Sequence, residues 1–291
     1  MGSLGDLNMV LPESFQFSQG SLQDFVDCRR RFYLRYVRRL AWPAIQAEPV
    51  SEKERNDRLG AHFHRMVQQN LIGIPPARIS AMIHDRDLEE WWQNYLKFKE
   101  DPGGFGTLLS SGVRLHPETT LVAPLAGYNL IARCDLVVTL EGKLSILVDW
   151  KTGHKLPRRD LLAARMQTRV YPYLLVRAGT HLNGGEPVAP EQVEMIYWFA
   201  AFPGQPERFC YSPQHYQDDE QYLCDLISQV RGLEADDYYP STDANRSRLC
   251  VYRSLCDHGI TAGGLDELES EEVTDNSSDE FNFDQAGMIA F

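Results

Sequence analysis

Apolar positions over the first hundred residues recur at helical spacing, and after residue 111 they change to short runs and alternations with period two. The first periodic stretch opens at Ser21, with Asp24 three residues on in a capping-box-like pattern, and runs to about Leu40 ahead of Pro43. Phe25, Cys28, Phe32, Leu34 and Tyr36 give it a broad apolar face. Further helices are expected over 52–73 and 79–98, the second ended by Asp101-Pro102-Gly103-Gly104. Residues 112–150 read as three or four strands broken at Pro117, Ala126-Gly127 and Glu141-Gly142, with the two glycines at hairpin turns. A helix from Leu161 to Arg177 follows, kinked or broken at Pro172. A strand over 193–202, a shorter one over 207–212 that pairs with it, and a helix over 217–233 complete the pattern.

Within this pattern the stretch Leu144–Leu156 stands out. Ile146-Leu147-Val148 is a continuous apolar run, the mark of a strand covered on both faces. It ends in Asp149-Trp150-Lys151-Thr152-Gly153. Strand alternation puts Asp149 and Lys151 on one side and Trp150 on the other. A lone Asp-x-Lys is also explained by an ion pair capping a strand. Asp135 changes the picture. Counted outward from Glu141-Gly142, Asp135 and Asp149 stand six and seven residues away, which places them opposite one another across a hairpin. Two close carboxylates repel unless a cation lies between them. A hard divalent cation, magnesium or manganese, is the natural partner, and Lys151 then lies near the water it would activate. The second helix carries His62 and His64, which are two apart and cannot both face inward. Glu118 is a further candidate acid, or an exposed turn residue.

Composition adds boundaries. At 291 residues, 43% hydrophobic and 24% charged, the chain suits one large globular domain, or a core with a smaller appendage. The net charge of −12 is concentrated at one end: residues 257–291 hold ten acids, and no Lys or Arg follows Arg253. The remainder carries 31 acids against 29 bases. Arg29, Arg30, Arg31, Arg35, Arg38 and Arg39 crowd the first helix, and a second basic stretch runs from Lys155 to Arg169. That distribution permits nucleic-acid binding and equally describes solvated helix faces. No apolar run suits a membrane span, and the first ten residues lack a basic region followed by an apolar core. The expected location is the cytoplasm, with the six cysteines as free thiols or metal ligands. Cys134, Cys210 and Cys224 fit no ligand spacing and are expected to be buried small residues.

The ordered set of residues resembles the PD-(D/E)xK nuclease superfamily, in the branch of the RecB/AddB nuclease domains and the related CRISPR adaptation nucleases. Cys28 and Phe32 match its N-terminal helix, and Gly60 with His64 matches G-x-x-x-H, which selects His64 over His62. Ala132-Arg133-Cys134-Asp135 matches G-x-x-D without its glycine; Asp149 to Gly153 match D-x-K-T-G in full; Gln167 and Tyr171 match Q-x-x-x-Y. The resemblance implies an α/β fold with a restriction-endonuclease-like core, a mixed sheet flanked by helices, plus an N-terminal helical region and a C-terminal cysteine-bearing segment. The corresponding divisions are an extension (1–20), the helical region (21–110), the nuclease core (111–235), the cysteine segment packing on the first helix (236–262) and an acidic, disordered tail (263–291).

The resemblance further implies metal-dependent hydrolysis of DNA. His64, Asp135, Asp149 and the Trp150 carbonyl would hold Mg2+ or Mn2+, and Lys151 would serve the attacking water. Gln167 and Tyr171 would orient Lys151 or the DNA backbone, and Arg165 and Arg169 would hold phosphates. The implied activity is that of an exonuclease on single strands or DNA ends, in repair, recombination or CRISPR adaptation. No P-loop occurs here, so a helicase partner would be a separate protein, as would CRISPR adaptation proteins. The competing reading is a DNA-end-binding or complex-forming module, favoured by Ala132 and Ser247; an RNA-directed nuclease is a third. Iron–sulfur members carry one cysteine on the first helix and three near the C-terminus. Cys28, Cys250 and Cys256 take three of those places, and Ser247 stands in the fourth. A four-iron cluster completed by Ser247 or another group, a three-iron cluster, zinc, and packed thiols are the alternatives.

Overall fold

The computed structural model describes residues 11–40, 48–101, 112–234 and 237–240, together with Gly106, Cys250, Tyr252 and Leu255. Strand β1 (Gln16–Ser18) leads into α1 (Gln19–Asp27), α2 (Arg29–Phe32) and a π-helical turn over Tyr33–Val37. Helices α3 (Glu48–Leu71), α4 (Pro76–Ser80) and α5 (Arg86–Glu100) precede strands β2 (Arg114–Leu125), β3 (Tyr128–Leu140) and β4 (Leu144–Lys151). Helices α6 (Arg159–Ala163) and α7 (Met166–Ala178) lead to β5 (Val193–Phe199), β6 (Glu207–Cys210) and α8 (Pro213–Gly232).

Three helices expected to be continuous are divided, and local capping accounts for two of the breaks. The first begins three residues early, at a reciprocal box between Ser18 and Ser21. It stops at Cys28, which is extended (φ −161°, ψ 107°) and whose Sγ accepts the Arg31 N–H at 3.4 Å to start α2. The third gives way after Ser80 and restarts at Asp85, whose Oδ1 accepts the N–H groups of Asp87 and Leu88 at 2.9 and 3.4 Å. The helix after the Asp-x-Lys stretch breaks at Ala164-Arg165, while Pro172 sits inside α7. Asp85 also pairs with Arg55 at 2.7 Å, but that contact is solvent-exposed, so loss of Asp85 reports mainly the cap. Asp85→Ala is expected to cost about 1 kcal/mol in a urea-unfolding midpoint; an unchanged midpoint would show that the cap adds nothing.

The hub of the six-stranded mixed sheet is β3. It runs antiparallel to β2 from end to end. Its other edge is shared: β1 lies parallel to Asn129–Ile131, and β4 lies antiparallel to Leu136–Leu140. The chain of pairings continues with β5 parallel to β4 and β6 antiparallel to β5. One face packs on α1, α2, α7 and α8 around Leu22, Phe32, Leu147, Val170 and Tyr197. The other packs on α3, α4 and α5 around Phe63, Trp92, Tyr95, Trp150 and Trp198. Strand β4 is therefore covered on both sides, which its unbroken apolar run anticipates.

The β2–β3 ribbon switches faces partway along. Leu130, Ala132 and Cys134 look into the first core, yet Leu136 and Val138, of the same parity, look into the second. The change falls at Glu118 and Asp135. Pro117 pairs with Leu136 and Thr119 with Cys134, while Glu118 between them has φ +51° and drops out of the ladder. A non-glycine residue in the left-handed region is costly and marks a local demand of the fold.

The end of the described chain packs on its beginning. Tyr238 stacks on Tyr33 with ring centroids 4.9 Å apart, and the Arg30 N–H donates to the Tyr239 carbonyl. Cys250 and Tyr252 share a core with Phe25 and Phe32, and the Tyr252 hydroxyl donates to the Leu40 carbonyl at 3.0 Å. Ser247, Cys256 and the acidic tail lie outside the described residues. Of the remaining thiols, Cys134 is buried as expected; Cys224 is half-buried, and Cys210 is exposed because it sits on the edge strand β6. Among the described residues, no helix is long and apolar enough to cross a membrane.

Candidate active site

Asp149 and Lys151 leave β4 on the same side, as strand alternation requires, while Trp150 turns into the opposite core. The Lys151 ammonium lies 2.9 Å from Asp149 Oδ2 and donates to Gln167 Oε1 at 3.0 Å. Gln167, on the first turn of α7, donates from Nε2 to Asp149 Oδ1 at 2.5 Å. The three side chains form a closed triangle, and all are at least 96% buried. Such burial costs far more for a charge than for an amide, so the pair is tolerable only with each charge hydrogen-bonded. The Tyr197 ring, 5.6 Å from the ammonium, contributes its negative face.

Asp135 is the next residue of β3 beyond the last β3–β4 pair, Leu136 with Val148, so it stands opposite Asp149. Its Oδ2 accepts the Trp150 N–H at 2.8 Å and its Oδ1 lies 3.1 Å from His64 Nδ1. Helix α3 delivers His64. Its neighbour Phe63 is fully buried, stacked on Trp198 and edge-on to Trp91 and Tyr95, which locks the helix against the sheet. His62 faces solvent. The site thus lies where β1 and β4 part along β3, with α3 reaching it from one layer and α7 from the other.

Glu118 joins this group. Ligand atoms of His64, Glu118 and Asp135 all lie within 4.8 Å of one another, and each residue is half-buried. The twist that produces the face switch is what turns Glu118 toward Asp135. Arg133 Nε donates to Glu118 Oε2 at 2.6 Å. Burial and the nearby Asp135 push the Glu118 carboxyl above its ordinary range, with Arg133 opposing them. For His64, burial disfavours the charged ring, but the Asp135 carboxylate outweighs it, with help from Asp149, and raises the pKa to about 9. The crowded carboxylates thus favour the positively charged form of the ring. One imidazole and two carboxylates are a donor set that fits manganese and magnesium.

The other residues expected at the site fall as follows. The Tyr171 hydroxyl, one turn after Gln167, donates to the Arg133 carbonyl at 3.0 Å and so braces β3 beside Asp135. Arg165 occupies the N-cap of α7. Arg169 is bound to Asp219 at 2.6 Å and lies over the Tyr222 ring. The Arg169–Asp219 pair ties α7 to α8, and Asp219 also accepts from the Tyr211 hydroxyl at 3.0 Å. Ala132, where the glycine of the motif is absent, sits buried in the first core without a positive φ, so its methyl group costs the fold nothing. Glu118, by contrast, is drawn in by backbone conformation, and its only advance signal was its acidity ahead of the strands.

The family model described as the PD-(D/E)XK nuclease superfamily matches residues 16–257. A solved structure of a candidate exonuclease from Eubacterium rectale aligns with a TM-score of 0.50 at 9% identity, covering 86% of this chain and 90% of that one. The solved structure of the protein SSO0001 aligns with a TM-score of 0.37 at 13% identity, covering 89% of this chain and 90% of that one. No curated protein matches the chain in sequence.

Proposed function

The chain belongs to the PD-(D/E)XK nuclease superfamily, and on that premise we propose that it is a divalent-metal-dependent deoxyribonuclease, acting as an exonuclease on single strands or DNA ends. One observation carries the reading. A buried lysine, fixed by Asp149 and Gln167, adjoins a half-buried trio of one imidazole and two carboxylates. His64, Asp135 and Glu118 would hold Mg2+ or Mn2+, with Asp149 and the Trp150 carbonyl completing the set. A divalent cation there supplies charge to the scissile phosphate and makes a water more acidic. Lys151 would orient that water and compensate charge growing on the phosphate. Gln167 would hold the ammonium in place, and Tyr171 would steady the strand that carries Asp135. Arg165 and Arg169 would meet the DNA backbone, with Asp219 competing for Arg169.

The metal requirement is direct to test. Cleavage of end-labelled single-stranded DNA is expected to vanish in EDTA, to return with Mn2+ or Mg2+, and to fall about 100- to 1,000-fold in Asp135→Asn. Undiminished cleavage by that variant would remove Asp135 from the reaction. Matched RNA strands and closed circular DNA, run in parallel, decide the substrate and the need for an end. The alternative of a DNA-end-binding or complex-forming module predicts salt-dependent DNA binding without cleavage under any metal.

The wider setting belongs to the same reading: work in the cytoplasm, in repair, recombination or CRISPR adaptation, beside a separate helicase or CRISPR adaptation proteins. A cluster held by Cys28, Cys250 and Cys256, completed by Ser247 or another group, would staple the two ends of the chain. Cys250 and Tyr252 pack in the core of the first helices, which suits such a staple and packed thiols equally. Iron and sulfide assays on anaerobically purified protein test it, and folded, iron-free protein would remove it.

A further inference from the structure

The N-terminus of α7 has an unusual cap. Arg165, the N-cap residue, offers no side-chain hydrogen bond to the first turn. The Met166 N–H instead donates at 3.0 Å to Oε1 of Gln23, which comes from α1, 143 residues earlier. Met166 is 2% exposed, so water is a poor substitute for that acceptor. The next residue is Gln167, which holds both Lys151 and Asp149.

The Gln23 amide has one permitted orientation. Its Nε2 donates to Asp27 Oδ1 at 3.0 Å, so its oxygen must point to Met166. Asp27 is in turn fixed by Arg31 at 2.9 Å, and Arg31 by Asp24 at 2.7 Å. Gln23 is therefore the end of a polar chain running across α1 and α2 that sets where the first turn of α7 begins. A shift of that turn would move Gln167 relative to the lysine.

We propose that Gln23 is a positioning residue of the active site, acting from α1 through the first turn of α7 to hold Gln167 against Lys151 and Asp149. The proposal rests on the nuclease reading for its kinetic consequences and on the hydrogen bond alone for its structural ones. In Gln23→Ala, kcat for single-stranded DNA should fall about tenfold with KM unchanged, the pattern of a misplaced catalytic group. Gln23→Glu combined with Asp27→Asn keeps the acceptor for Met166 and exchanges donor and acceptor between the two side chains, so it should recover most of the loss. In a Gln167→Ala background, Gln23→Ala should have no further effect, because the residue acts through Gln167. A loss of equal size in both backgrounds, or wild-type kcat in Gln23→Ala, overturns the proposal.

Hydrogen exchange at the Met166 amide gives a readout free of catalysis. It should be slow in the wild type and fast in Gln23→Ala. Rapid exchange in the wild type overturns the proposal even if the alanine variant does not fold. A wild type that cleaves nothing, with a protected Met166 amide lost in the variant, would sink the nuclease reading and leave the Gln23 cap standing.

Discussion

Lys151→Met is expected to lower DNA cleavage by about 100- to 1,000-fold while DNA binding persists. Methionine keeps most of the side-chain volume, so the core around Tyr197 should stay filled. What is lost is the ammonium, 2.9 Å from Asp149 and 3.0 Å from Gln167. Arginine should not replace it. A planar guanidinium cannot occupy a closed triangle shaped for a compact point charge. The removed charge leaves Asp149 buried with Gln167 still donating to it, so a lower melting temperature is also expected. Activity must therefore be measured below that temperature, with fluorescence-polarisation binding to labelled DNA as the control. Full activity in Lys151→Met would show that the cleavage comes from elsewhere.

Phe63→Ala is expected to destabilise the protein by about 3–5 kcal/mol, read from the urea midpoint. Phe63 is fully buried at the contact of α3 with the sheet, within 6.1–6.4 Å, centroid to centroid, of Trp91, Tyr95 and Trp198. Removing the ring opens a cavity that these rigid aromatic rings cannot close. The consequence reaches chemistry, because His64 is the next residue and depends on the seating of α3 for its 3.1 Å contact with Asp135. Metal affinity should fall in Phe63→Ala measured at low temperature, where the variant is still folded. His62→Ala, on the exposed side of the same helix, should leave stability and metal affinity unchanged. Equal effects from the two substitutions would refute this account of α3.

Several parts of the site were legible in the chain because they depend on local periodicity. The two-residue alternation of β4 is enough to put Asp149 and Lys151 together and send Trp150 away. The hairpin at Gly142 is short enough that counting from it places Asp135 across from Asp149, and the observed register agrees. The choice of His64 came from the resemblance and is matched by its place beside Asp135. The breaks at Cys28, Asp85 and Ala164-Arg165 were not legible in this way. The first two depend on caps whose strength differs little from that of continuing the helix, so periodicity runs through them.

The sequence by itself determined the hairpin that sets Asp135 against Asp149 and the pairing of both acids with Lys151, because these follow from period and spacing, while the family came from the resemblance of the ordered motifs. The tertiary structure alone decided that Glu118 completes the trio with His64 and Asp135. That outcome depends on a left-handed residue that rotates a long ribbon between two cores, and no local pattern encodes the rotation. It also decided that Gln23 caps the helix bearing Gln167. A hydrogen bond spanning 143 residues exists only once the first helix and the seventh are packed against the same face of the sheet.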